Sequence, residues 1–508
     1  MFDILLSEIH IRNSIQQKSR NSLFLATWIF FVLSLSGAVA LLGMRRGPDA
    51  SLIAWLFFLM GAAAIAYEPR YGVYLVLLLG LMGDSVLMPW FPFVNNMSSA
   101  QSVLYLNDSI IISPMEFYMG LIFVVWIGKG VARRNFRFYK GPLFWPAMLF
   151  TFFILFGFVY GLGTGGDFRI AIWEGRYIFY IPLMIILASN LITTQEHISN
   201  LVWFLIAALV IEGLSGIYYF VFSLNLDLNV QSITEHGAAI HMNTLFVLVL
   251  ALWLYKGSLL KRFMLPLMLP PVLFTYIATQ RRAAFLTLAV ALAVMMVVLY
   301  IENRRLFWFI LPPLALGGIL YIGVFWNASG ALGLPVQAIK AILVPSQANG
   351  EDVSSDLYRV LENINTSFTI HSAPLTGVGF GHKFYMIVPL PDISFFEFWE
   401  YITHNSVMWI WMKAGIGGFL SMLFLIGASL TLGGHVLLRA PGGDVSAIAL
   451  TMALYIMMHF LYAYVDMSWD PQSMLFVGVA MGILNILDQI ITQPAAPITP
   501  KRWPWQTS

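Results

Sequence analysis

Apolar stretches of about one membrane thickness alternate with short polar breaks along nearly the whole chain. A helix needs roughly 20 mostly apolar residues to cross a bilayer's hydrocarbon layer. That criterion places candidate spans near 23–44, 50–67, 71–89, 110–131, 142–161, 172–192, 201–222, 239–256, 264–280, 283–301, 306–326, 405–430, 446–464 and 473–490. The expected fold class is therefore all-α, a polytopic transmembrane helical bundle of about 12–14 spans with one large extracytoplasmic loop containing short helices. The expected division is helices with short loops over 1–326, the large loop over 327–403, the last helices over 404–490 and a cytoplasmic tail over 491–508. The first run, Ser22 to Gly43, ends at Arg45 and Arg46 rather than at a small-residue cleavage site. It reads as a retained helix. Before it, Ile4, Leu5, Ile9 and Ile11 alternate with Arg12, Lys18 and Arg20, as in an amphipathic segment on the cytoplasmic face or a disordered tail.

The segment Asn327 to Thr403 is the one long stretch without a span, and it carries Glu351, Asp352, Asp356, Arg359, Glu362, His371, His382, Lys383, Glu397 and Glu400. Within it Leu357, Val360, Leu361 and Ile364 recur at helical spacing, which predicts a surface helix over 356–367. A loop of this length in a compact protein is usually functional. Basic residues fix the orientation. With the N-terminus inside, the short segments 129–140, 256–262 and 302–305 are cytoplasmic and basic, as inner loops tend to be. Both termini are then cytoplasmic and the long loop lies outside.

Composition agrees. The 508 residues are 59% hydrophobic and 10% charged, against about 25% charged in a soluble protein. A net charge of +2 gives no reason to expect a nucleic-acid partner, and the absence of cysteine removes disulfides, thiolate nucleophiles and cysteine metal sites.

Charged groups at apolar depth are the candidate chemistry, because each is unfavourable there unless paired or hydrated. Two groups stand at the outer edge against the positive-inside tendency: Trp173-Glu174-Gly175-Arg176-Tyr177 and Gln280-Arg281-Arg282. Guanidinium groups fork onto phosphate oxygens, and a lipid-linked diphosphate places such oxygens at this depth. The alternative for Arg176 is an ion pair with Glu174 or a neighbouring helix. Where the long loop returns to the membrane stands Thr403-His404-Asn405-Ser406. A neutral imidazole there suits proton removal from a hydroxyl; the alternative is an interfacial histidine bonded to a carbonyl. The run Thr376-Gly377-Val378-Gly379-Phe380-Gly381 permits positive φ and close backbone approach but follows no strand–helix unit, so it is no nucleotide fingerprint. Asp84, Glu116 and Glu212 fit either a proton path or paired helix–helix contacts. His459, Asp466 and Asp470 flank the last outer loop and could line the same cavity. Lys413 pairs with a carboxylate or snorkels. No Asp-x-Asp, His-Glu-x-x-His, Gly-x-Ser-x-Gly or P-loop occurs, which disfavours metal-held nucleotide sugars, metalloproteolysis and ATP-driven transport.

Taken in order, these residues resemble the O-antigen ligase and polymerase superfamily of envelope glycosyltransferases. The resemblance rests on Glu174-x-Arg176, on Arg281-Arg282-Ala283, and on Pro374-Leu375-Thr376-Gly377-Val378-Gly379-Phe380-Gly381. It rests also on His404-Asn405-Ser406 with the following Ala414-Gly415-Ile416-Gly417-Gly418, and it covers roughly residues 170–430. Gln280 stands where the family usually has serine, and Lys413 where it commonly has an acidic residue nearby. The resemblance implies a metal-independent, cofactor-free, inverting transfer at the outer face of a bacterial cytoplasmic membrane. The donor would be a glycan on a polyprenyl diphosphate and the acceptor a glycan or lipid A core. Arg176, Arg281 and Arg282 would hold the diphosphate, and His404 would be the base. Glu174, Arg359 and Asn405 would bind or orient substrate, and Gly377, Gly379 and Gly381 would shape the loop. Membrane lipid and other envelope polysaccharide assembly proteins are the further partners it implies. A protein O-oligosaccharyltransferase, or a non-catalytic lipid-linked glycan flippase or exporter, is the alternative. A transporter would place its key charges near mid-membrane, whereas here they gather at one face.

Overall fold

A computed structural model describes residues 50–93, 95–227, 232–328, 330–344, 350–393 and 396–492. The expected first span, the N-terminal amphipathic segment and the C-terminal tail lie outside the described residues. Among those described the chain is all-helical, with no strand, and ten helices are long and apolar enough to cross a membrane.

The bundle begins with α1 (Ala50–Tyr67) and α2 (Pro69–Met82), two shorter apolar helices, then α3 (Pro114–Ala132), α4 (Phe144–Gly163) and α5 (Phe168–Gly175). A 3-10 turn at Arg176–Phe179 joins α5 to α6 (Tyr180–Leu191), and α7 (Gln195–Tyr218), α8 (Ala238–Leu254), α9 (Leu259–Ala278), α10 (Arg282–Glu302) and α11 (Arg304–Phe325) follow. The long segment holds α12 (Leu334–Leu343) and α13 (Gly350–Ser372), and α14 (Ser406–Arg439), α15 (Gly443–Ala463) and α16 (Pro471–Thr492) close the chain.

Local chemistry sets the boundaries. The Ser113 hydroxyl accepts from Glu116 N–H while the Glu116 carboxylate accepts from Ser113 N–H, a capping box that starts α3. Asp167 caps α5 by accepting from Ile170 N–H at 2.9 Å. The helix expected over 71–89 stops at Met82, because Asp84 turns the chain by accepting from Val86 and Leu87 N–H at 2.8 and 3.0 Å. Helices α15 and α16 are the centre of the bundle, and α16 presses on α6 where Gly478 and Gly482 leave no room for a side chain. Helix α11 buries none of its residues, so its apolar side chains face outward all round.

Helix α13 extends the predicted 356–367 helix at both ends, and its faces lie opposite to the usual arrangement. Leu357, Val360, Ile364 and Phe368 are exposed, whereas Tyr358, Glu362, Asn365 and Thr369 are buried. The polar face binds the following segment: Asn365 Oδ1 accepts from Ile387 and Val388 N–H at 3.0 and 2.8 Å, and Thr369 Oγ1 accepts from Tyr385 N–H at 2.8 Å.

The glycine motif enters the bundle between α4 and α14. Gly377, Gly379 and Gly381 all have positive φ, at 68°, 86° and 82°. A Cβ on Gly379 would lie 2.3 Å from Gly161 Cα, so backbone meets backbone with nothing between them. Helix α14 opens to receive the loop. At Gly415, φ 66°, the helix breaks. Val378 N–H then donates to the Met412 carbonyl at 2.8 Å and Ile416 N–H to the Pro374 carbonyl at 3.1 Å, so both helical groups find loop partners.

One buried ion pair pins this junction. Lys413 Nζ lies 2.7 Å from Glu174 Oε1, with both side chains fully buried. Lys413 also donates to the His382 carbonyl, and Glu174 Oε2 accepts from Gly381 N–H at 2.7 Å. Removing one partner of a buried pair typically costs about 3–5 kcal/mol, because the other charge is left uncompensated. Lys413→Met is therefore expected to destabilise the protein in detergent by an amount of that order, seen as a lower thermal midpoint. The double variant Glu174→Leu/Lys413→Met should recover most of the loss; a double variant as unstable as the single one would mean the pair does not hold the junction.

Candidate functional site

Where the long segment meets α14, Asn405 caps the helix, its side-chain oxygen accepting from Met408 N–H at 3.0 Å. The preceding residue is thereby fixed at the helix mouth. His404 N–H donates to Glu362 Oε2 at 2.8 Å, and its Nδ1 lies 3.1 Å from both Glu362 oxygens. Glu362 is 1% exposed and the imidazole 19%. With the Nδ1 proton donated to the carboxylate, Nε2 keeps its lone pair. A carboxylate that fixes the tautomer in this way orients a histidine as proton acceptor. The Tyr358 ring meets the imidazole edge-on at 5.5 Å, and burial, then the Glu362 charge, pushes the Tyr358 hydroxyl above its usual range. The Asn405 amide nitrogen is buried without a hydrogen-bond partner among the described residues.

Three of the four arginines expected in the site come to this side. Asp356 binds both Arg282, at 3.6 Å, and Arg359, at 3.4 Å, tying α13 to the start of α10. Arg281 precedes α10, after a Gln280 in the left-handed region at φ 56°. Such a conformation is unfavourable for a residue with a side chain and is retained only where its surroundings enforce it. The Arg281 guanidinium makes no hydrogen bond or ion pair among the described residues, and its Nε is buried. Asp466, in the α15–α16 turn, feels the positive charge of both Arg281 and Arg359. Burial pushes its carboxyl up, but the hydrogen bond with His236 and the positive charge of His236, Arg359 and Arg281 together hold it well below the usual range. Asp466 is joined to the histidine mouth as well, since Ser406 Oγ donates to the Asp466 carbonyl at 3.2 Å. In the same turn burial raises the Asp470 carboxyl to about 6.

Arg176 does not join that cluster. Its guanidinium donates to the Ile111 carbonyl at 2.7 Å and Asn96 Oδ1 at 2.9 Å, and it lies 3.8 Å from Glu116. The Trp173 and Tyr177 rings flank it at 4.3 and 4.5 Å. It stands at the edge of an open apolar groove of about 610 Å³ between α3 and α5, lined by Ile112, Phe117, Leu121, Val124 and Ile172. Glu174 faces Lys413 and Gly381 rather than Arg176, so the expected substrate contact is replaced by a structural one. Its α5 position points inward because residues two apart on a helix face different ways. Of the carboxylates read as either a proton path or helix contacts, Glu116 caps α3 and accepts from Tyr180. Asp84 accepts from backbone and Glu212 is buried beside it.

Sequence reading left Glu362 in the polar inventory of the loop and gave it no role. A signal existed: Tyr358, Glu362, Asn365 and Thr369 follow one another at helical spacing as a second, polar stripe.

Residues 267–423 match the O-antigen ligase family model, a stretch that includes Arg281, Arg282, Arg359, Glu362, the glycine motif, His404 and Lys413. The chain is also 28% identical over 163 residues to the O-antigen ligase of Salmonella typhimurium strain LT2, covering 27% of this chain and 40% of that protein. The match thus spans less than half of the relative's length. With ten helices able to cross a membrane among its described residues, this chain carries a segment, residues 267–423, that matches the O-antigen ligase family.

Proposed function

We propose that the protein is a membrane glycosyltransferase that moves a glycan from a polyprenyl-diphosphate donor to an acceptor hydroxyl, in surface-polysaccharide ligation or polymerisation. The observation that carries the reading is the His404–Glu362 pair, set beside the arginine-lined turn at Asp466. Nε2 of His404 takes the acceptor proton. The acceptor oxygen attacks the anomeric carbon from the face opposite the diphosphate, inverting it, while the bond to the diphosphate oxygen breaks. Arg281, whose charge has no tight partner among the described residues, and Arg359 and Arg282 stabilise the charge growing on the departing group. Preorganised positive groups at a developing anion are commonly the largest catalytic contribution.

Arg176 is assigned to the lipid end of the donor. It heads the apolar groove between α3 and α5, whose lining suits an isoprenoid chain. Glu174 and the three glycines position the site through the Lys413 junction, and Asn405 does so through its cap. The site lies on the outer face of the cytoplasmic membrane in this reading, the face with fewer basic loops. A glycan or lipid A core supplies the acceptor hydroxyl.

In detergent with a purified polyprenyl-diphosphate glycan, His404→Ala is expected to abolish transfer while leaving donor binding intact; undiminished transfer removes His404 as the base. Glu362→Gln should lower kcat about 100-fold, within the range that proton transfer by a positioned side chain contributes, with little change in donor KM. Arg281→Ala is expected to weaken donor binding by about 10- to 100-fold, as for a lost charge-assisted contact. Unchanged donor affinity would give Arg281 a structural role instead.

A further inference from the structure

A second histidine–carboxylate pair stands beside the first. His236 Nδ1 lies 3.1 Å from Asp466 Oδ1. The Asp466 side chain is 4% exposed, while the imidazole is 42% exposed. Asp466 is itself tightly held: Met467 N–H donates to Oδ1 at 2.9 Å and the Tyr462 hydroxyl oxygen lies 3.0 Å from Oδ2. The Nε2 atom of His236 makes no hydrogen bond among the described residues. Nothing in the packing of the bundle requires an imidazole with one nitrogen on a buried carboxylate and its ring half in the open.

The segment carrying His236 is fastened on every side. Tyr462 OH donates to the His236 carbonyl at 2.7 Å. Thr234 Oγ1 lies 2.9 Å from Thr279 Oγ1, two residues before Arg281, so the histidine and the arginine are placed by one contact. Glu235 turns away from the ring: its N–H donates to Asp84 Oδ2 at 2.8 Å, and its carboxylate accepts from Gln472 at 3.0 Å. Asp466 then links the two imidazoles through its backbone, since its carbonyl accepts from Ser406 Oγ, two residues after His404.

We propose that His236, oriented by Asp466, is the proton donor to the departing diphosphate, the counterpart of His404 on the acceptor side. The inference rests on the glycosyl-transfer reading above. The balance is as follows. The acceptor O–H proton goes to His404 Nε2, the acceptor oxygen bonds to the anomeric carbon, and the carbon–oxygen bond to the diphosphate breaks. The diphosphate leaves with one more negative charge, and the proton on His236 Nε2 passes to it. His404 ends protonated and His236 neutral, and exchange of one proton with solvent at each ring restores the start. The groups facing His236 from the packed elements are Asp466 in the α15–α16 turn and Tyr462 on α15, while the charges of Arg281 before α10 and Arg359 on α13 act on Asp466. Asp470 stands beside the adjoining Gly237. The Arg281 and Arg359 charges near Asp466 would draw the anionic leaving group toward this turn.

The test uses the full-length protein and a purified polyprenyl-diphosphate glycan, following kcat against pH for wild type, His236→Gln and His236→Ala. Wild type should lose activity on the alkaline side of its optimum, as a reaction that needs a proton donor does. His236→Gln should lower kcat about 100-fold or more near the optimum, abolish that alkaline limb, and keep the thermal midpoint and donor affinity near wild type. Added imidazole should restore part of the activity of His236→Ala, because the ring site is open to solvent. Full activity with an unchanged profile would overturn the proposal. So would a uniform loss at every pH without imidazole rescue, which marks a structural role. A wild-type protein that transfers no glycan would instead defeat the glycosyl-transfer reading itself, so the two failures are distinguishable.

Discussion

A lysine and a glutamate, both sealed from solvent inside a membrane bundle, hold the rest of the site in place. Lys413 on α14 and Glu174 on α5 meet at 2.7 Å, and each also grips the glycine motif, through the His382 carbonyl and Gly381 N–H. An isolated ion at that depth would be strongly unfavourable. The pair therefore fixes which loop backbone sits between α4 and α14, and the break at Gly415 supplies that loop with hydrogen-bond partners. From this junction the chain runs back along α13 and forward to His404, so the distance between Glu362 and the imidazole follows from a contact several turns away.

The groups assigned to the reaction gather where three helices begin. Arg281 precedes α10, which starts at Arg282, α14 begins after His404 and Asn405, and α16 begins after the turn that carries Asp466 and Asp470. Helix α13 lies across them with its polar face inward, presenting Glu362 to the histidine and Arg359 to the turn. Its exposed Leu357, Val360, Ile364 and Phe368 are then left on the opposite side. In an aqueous setting that arrangement would be costly. An outward apolar face opposite a polar one is the pattern of helices that lie against a bilayer surface.

Much of this was legible in the sequence. Apolar runs located the helices because lipid leaves backbone groups no partner except the helix itself. His404 and the arginine pair stood out because charged or titratable groups at the edge of a span need a reason. The pairings were not legible, for physical reasons. Glu174 and Arg176, two residues apart on one turn, look like partners on paper but face different sides, one toward Lys413 and the other toward Asn96 and Glu116. Arg176 accordingly lies away from the Arg281 cluster with which it was expected to act. Glu362 was hidden by a reversed amphipathic helix: the apolar stripe that marks the helix in the sequence faces outward, and the carboxylate lies on the buried polar stripe. His236 sits in a short connection without periodicity, and only the fold brings Asp466 to it.

The central claim is that an imidazole–carboxylate base and an arginine-lined turn act together on a lipid diphosphate. Its most direct test is the product formed by the reconstituted wild-type protein from a glycan of known anomeric configuration on polyprenyl diphosphate. The account predicts a new glycosidic bond of opposite configuration by NMR, with one polyprenyl diphosphate released for each bond formed. Glycan that crosses the bilayer still attached to its lipid, with no new bond, would contradict it.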